Sequence, residues 1–325
     1  MAEARRRRRH RVPRRSSTAG RAARWLRVLV LLLPAACAAL PDVSPFAIAS
    51  RQLAGAVKTG GAAISEGLRT SPDLEAKAQE FDRAWTARNE AMRAVVGYSD
   101  GLVAIVKATA DSRESARGLA DKLGALAQGA GAVQPGAGPA IKVGADSAAF
   151  IWAQIALARG ASSLRDALSH AQPAIDRLAE IIGSDTRDLV NVVRGAAEAE
   201  RTTLNAAFNE TRGFELSLSR RRGELRRQGF GQLDREELAE LRRIDELMAP
   251  VNAQVQTYEE HRAKIDRREK ASLQLIAATR DAMERWAVAH ADVTVSLQNR
   301  RPVSVESLTE GAIELRRLIT RMQEL

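Results

Sequence analysis

Along most of the chain, apolar side chains recur at alternating steps of four and three residues, the spacing that gathers them on one face of an α-helix. Leu74, Ala78, Phe81, Trp85, Met92, Val95, Leu102 and Val106 keep this lattice, with Arg88 and Ser99 at the two missing positions. Ser71 followed by Pro72 supplies a start for that helix, because Ser accepts from an orphan amide and Pro needs no donor in the first turn. Asp111 and Glu114 have capping-box spacing ahead of Ala116, Leu119, Leu123 and Leu126. Pro173 opens a further run through Ile175, Leu178, Ile182, Leu189, Val192 and Ala196, continued by Leu204, Ala207, Phe214, Leu218 and Leu225, with Gly183 as a kink point. Gln228 to Gly231 end that run, and Asp234 with Glu237 caps the next.

The longest lattice comes last. Leu241, Ile244, Met248, Val251, Val255, Tyr258, Ile265, Ile276, Met283, Trp286, Val293 and Leu297 share it, with Arg262, Glu269, Ser272, Thr279 and His290 as its polar exceptions. It predicts a helix from Arg235 to Gln298, ~96 Å long at 1.5 Å per residue, bent or broken near Pro250. Ser307 with Glu310 is the expected cap of a final helix striped by Leu308, Leu315, Leu318 and Met322. No stretch of the chain beyond residue 40 alternates with the period of a strand, and 60 alanines in the whole sequence favour helices with closely spaced axes. With short connections at 228–234 and 299–304, the expected fold class is all-α, an elongated antiparallel bundle of long, coiled-coil-like helices.

Charge changes the picture at one place. Of the formal +10, all is carried by residues 1–27, which hold 11 Arg and one Glu; the rest of the chain is neutral. A basic total therefore gives no reason to expect a nucleic-acid partner. The arginines precede an apolar run, Val28 to Ala36, and then small residues, the order of a bacterial export signal. The run is short of the ~20 residues that span a bilayer. At its end stands Cys37, the single cysteine of the chain.

Pro34, Ala35, Ala36 and Cys37 resemble the lipobox of bacterial lipoproteins, with Pro34 where that family usually has Leu. The resemblance implies a diacylglyceryl group on Cys37, a membrane contact through that lipid, and, with Ala38 next in place of Asp, the outer membrane as its address. The other reading is ordinary cleavage after Ala36, Cys37 and Ala38, leaving a soluble periplasmic protein. The expected organisation is a signal peptide over 1–36, a lipid-anchored tether with a marginal helix over 37–71, rich in Gly and Pro, and the long-helix bundle over 72–325.

Catalytic patterns are missing. Three residues before His170, His261 and His290 stand Ala167, Tyr258 and Ala287, so no Glu-x-x-His pair exists for a di-iron site, and there is no zinc motif, cysteine pair or phosphate loop. Neither enzyme, cofactor nor metal is expected, and His290 reads as a hydrogen-bonded core histidine. Two surface features remain. Arg220, Arg221, Arg222, Arg226 and Arg227 cluster near Phe230; they either complement a helix carboxyl terminus or contact an anionic lipid or polymer. The segment 123–158 has Lys142 and Asp146 as its only charges and contains Phe150, Ile151, Trp152 and Ile155. Burial in the bundle, a partner contact and membrane insertion are its three readings, and the patch resembles the apolar head of α-helical pore-forming toxins. The function expected is a non-catalytic envelope lipoprotein, a helical spacer or binding scaffold in the periplasm, with an envelope protein or a second copy as partner; the alternative is a membrane-active protein using 123–158.

Overall fold

Among the described residues, eight α-helices account for the lattices read above. The computed structural model of the protein describes residues 40–69, 71–108, 111–131, 145–184 and 186–325. They comprise α1 (Ser44–Arg69), a 3-10 turn (Pro72–Leu74), α2 (Glu75–Lys107), α3 (Arg113–Gly129), α4 (Ala145–Gly160), α5 (Leu164–Ser184), α6 (Thr186–Gln228), α7 (Arg235–Asn299) and α8 (Glu306–Gln323). No strand occurs among the described residues. The fold is an all-α bundle of long helices.

α7 organises the rest. It has 65 residues and is ~97 Å long. Its amino terminus carries the anticipated capping box, Asp234 accepting from the amides of Glu236 and Glu237 while the Glu237 side chain accepts from the amide of Asp234. The helix runs without interruption through Pro250, which is exposed, so the ring and the carbonyl it frees face solvent and the expected break does not occur. Antiparallel to α7 lie α5 and then α6. Partners on α7 fall in number as those on α5 and α6 rise: Gln298 donates to Ser169 at 2.9 Å, Arg201 pairs with Asp266 at 2.8 Å, Tyr258 donates to Asn205 at 2.6 Å, and Arg221 reaches Glu240 at 2.9 and 2.8 Å. One hairpin thus extends over nearly the whole of α7.

Its lower half is jacketed by α1, α2, α3, α4 and α8, which form the body. Its upper half has an apolar cluster of its own, Leu218, Leu225, Leu233, Leu241, Ile244, Met248 and Val251, drawn from α6, α7 and their connection alone. We call this upper half the arm.

Three local readings change. Residues 44–69 are not a tether but a core helix, because Phe46, Leu53, Val57, Ile64 and Leu68 fall on one face and Gly60 and Gly61 let neighbours approach closely. Pro173 sits inside α5, which starts at Leu164, and does not open it. Its ring is exposed, so no packing contact is displaced. The caps of α3 and α8 also move: Ser112 accepts from Ser115 while Asp111 pairs with Arg165, and Val305 precedes α8 without a side-chain cap.

The close approach at Gly61 is the tightest in the body. The Trp85 indole, stacked on Phe81 with centroids 5.3 Å apart, lies directly on the α1 backbone there; a Cβ on Gly61 would fall 1.9 Å from Nε1. Gly55, two turns earlier on α1, has open space at the same position. Gly61→Ala should therefore cost ~1–3 kcal/mol by overpacking, whereas Gly55→Ala should be neutral or stabilising by up to ~1 kcal/mol through helix propensity. Urea unfolding of the two variants checks the contrast; equal effects would contradict this packing.

Candidate functional site

A buried polar chain runs through the body. Ser50 on α1 donates to the Phe46 carbonyl at 2.8 Å and accepts from Trp286 Nε1 on α7 at 3.1 Å and from Ser99 on α2 at 3.0 Å. Beside it, Tyr98 on α2 lies 2.6 Å from His290 Nε2 on α7, and His290 Nδ1 lies 2.6 Å from Gln172 Oε1 on α5. Gln172 is oriented in turn, its amide nitrogen donating to the Ala287 carbonyl at 3.1 Å and to Asp176 at 2.7 Å. Its oxygen must then face His290, which assigns the ring proton to Nδ1 and leaves Nε2 to accept from the Tyr98 hydroxyl.

This arrangement is closed. Burial pushes the His290 imidazole down to about 3 and raises the Tyr98 phenol, so both are neutral, and each ring nitrogen is already engaged. No free base or nucleophile is presented. The chain instead specifies which residues of four helices meet, since a one-turn slip of any of them would orphan a buried polar atom. His290 is a hydrogen-bonded core residue. Ser50, Tyr98 and Gln172 are members that sequence reading missed; Tyr98 adjoins the lattice position Ser99, but nothing local marks Ser50 or Gln172.

The arginine cluster stitches the arm. Arg221 bridges to Glu240, Arg222 reaches Asp245 at 2.6 Å, Arg226 lies 3.6 Å from the same carboxylate, and Arg227 donates to the Gly223 carbonyl at 3.1 Å. Arg220 is exposed, with no ion pair to a described residue. Cations at the carboxyl end of α6 thus face acids at the amino end of α7, an arrangement favoured by both helix dipoles as well as by the cross-helix pairs. Phe230 caps the tip, 65% exposed.

Of segment 123–158, residues 132–144 lie outside the described residues, and the rest divides between core and surface. Leu123, Leu126 and Ala127 end α3 inside the body; Ile151, Ile155 and Ala158 of α4 are buried too, and Trp152 is half-buried, 3.8 Å from the position a Cβ on Gly124 would take. Ile151 and Ile155 therefore pack inside the body in this fold. Phe150 and Leu157 face outward, 43% and 51% exposed. No helix among the described residues is long and apolar enough to cross a membrane. Cys37 lies outside the described residues.

Among the described residues, two cavities stand out on the surface. One of about 460 Å³ lies between α1 and α2, against Ala54, Gly55, Met92 and Val96. The other, about 360 Å³, lies where the arm leaves the body, with Leu204, Ala207 and Ile265 as apolar wall and Glu200, His261, Lys264 and Arg268 at its rim. Arg268 is paired with Glu200. Among the described residues, no group of three His, Cys, Asp or Glu could hold a metal ion. Neither a family model, nor a curated protein, nor a solved structure matches this chain.

Neutral His290 makes stability depend on pH. Its folded value of about 3 lies below the ~6.5 of an unfolded chain, so the unfolded state binds the extra proton and stability is lost as pH falls from ~6.5 towards 3. The full loss is on the order of several kcal/mol. His290→Gln should cost stability at pH 7.5 yet flatten this part of the profile, read from urea midpoints; a variant keeping the wild-type slope would show that the slope belongs to other groups.

Proposed function

We propose that the protein is a non-catalytic envelope lipoprotein whose helical bundle acts as a spacer or binding scaffold in the periplasm, tethered through a lipid on Cys37 to the outer membrane. One observation carries this reading beyond the signal and lipobox residues: the place where the chain enters the bundle and the tip of the arm lie at opposite ends of α7. Phe46, five residues after Pro41, stacks on Trp286 with centroids 5.9 Å apart, near the carboxyl end of α7. From Trp286 to Arg235 at the tip is ~77 Å of continuous helix. Pro41, where the bundle begins, therefore lies far from Phe230 and the arginine-rich end of α6.

A second reading has one observation in its favour. Phe150 and Leu157 stand outward on α4, so this helix could rest on a bilayer surface by its exposed face. Liposome flotation of the unlipidated chain tests it: binding that Phe150→Asp abolishes without lowering the melting temperature would favour membrane activity over the scaffold.

For the lipoprotein reading, the expected result is a mature chain beginning at an acylated Cys37, which fractionates with membranes and resists high salt because acyl anchoring is apolar and unscreened. Cys37→Ser should lose the lipid label. Mass spectrometry of the mature amino terminus decides; an unmodified chain starting at Ala39 would refute lipidation.

A further inference from the structure

The face of the arm marked by the Arg221–Glu240 bridge is a ladder with rungs one heptad apart. Seven residues closer to the body on each helix stand Phe214 and Leu247, 46% and 39% exposed. Ala207 and Gln254 follow at the same step. Glu200 and His261 come next, and they line the cavity of about 360 Å³ at the foot of the arm. Ser71 lines that cavity as well, so the body overhangs this face at its foot. At the other extreme, Phe230 projects from the tip. At 1.5 Å per residue, the Phe214–Leu247 rung is ~24 Å from Phe230 and ~21 Å from the Glu200–His261 rung. An apolar rung thus stands about midway between an exposed aromatic side chain and a cavity with apolar walls.

We propose that this face pairs with the same face of a second copy of the chain, antiparallel, about a two-fold axis through the Phe214–Leu247 rung. Such an axis maps the tip of each copy onto the foot of the other, because the two spacings differ by only ~3 Å. Phe230 then enters the partner copy's cavity, against its apolar wall, with cations at the rim suited to the face of an aromatic ring. Phe214 and Leu247 meet their own copies at the axis, as a closed isologous interface requires. Stacking the same faces in parallel would drive the two overhanging bodies together, so the antiparallel arrangement is the one the shape admits. A contact ~45 Å long and two helices wide, ~20 Å, covers ~900 Å² a side, enough for a specific dimer, which takes ~800 Å² per partner. The inference does not rest on lipidation of Cys37.

Sedimentation of the full chain in a Cys37→Ser background tests it. The dimer is the expected species, and Phe230→Asp should weaken it at least tenfold while leaving the helical circular-dichroism signal of the folded chain unchanged, since Phe230 is exposed in the monomer. Phe230→Cys combined with Lys264→Cys should cross-link two chains on mild oxidation; within one chain ~44 Å of α7 separates Lys264 from the helix start at Arg235, beside the tip, so a monomer cannot close the bond. A monomer at every concentration, or a dimer indifferent to Phe230→Asp, would overturn the proposal. So would cross-linking by Phe230→Cys alone as efficient as by the pair, which would mean tips meeting tips.

Discussion

Everything in this fold leans on a single seam, the three-four lattice of α7. Each element of the body touches α7 or touches a helix that does, and α5 and α6 follow it end to end. The seam succeeds because its side chains change with what faces them. Against the body it presents Ile276, Met283, Trp286, Val293 and Leu297, all buried among several helices. Against α6 alone it presents Leu241, Ile244, Met248 and Val251, where a two-helix contact leaves less apolar surface covered and charged pairs at the flanks complete the fit.

Polar residues at inner positions divide the work. Ser272, Thr279 and His290 interrupt the apolar lattice of α7 and are buried, with Ser272 and Thr279 returning their hydroxyls to the helix's own carbonyls at 2.9 Å. His290 instead reaches two other helices. Burying such a residue adds less net stability than a leucine of similar size would, and what it contributes is uniqueness: hydrophobic contacts alone tolerate a slipped helix far better than a chain of donors and acceptors does. In a bundle built largely of alanine and leucine, that discrimination has real value.

Much of this was legible in the chain. Every apolar member of the α7 lattice is buried except Val255, which is half-buried, and all ten lattice positions of the segment from Leu74 to Val106 are buried, including Arg88, which lies over the Trp85 ring at 5.5 Å. The capping box at Asp234 was readable for the same reason: periodicity and caps are local. What failed was context. Residues 44–69 looked like a tether because glycine and alanine carry little apolar surface, yet small residues are what a helix needs when a Trp must lie on its backbone. Phe214 looked like part of the inner stripe of α6 and is a flanking residue, since a two-helix seam is narrower than a bundle core. Partners separated by more than a hundred positions, such as Gln172 and His290, left no trace in spacing at all.

The antiparallel course of α1 and α7 has a mechanical corollary. Phe46 sits beside Trp286, and further along Gly60 meets Leu275 and Gly67 meets Arg268, so the two helices overlap lengthwise over most of α1. A pull on Pro41 directed away from the tip would slide α1 along its neighbours in shear, loading all of those contacts together instead of peeling them one at a time. The glycines that let the helices interlock would then be the teeth of a ratchet that holds under tension.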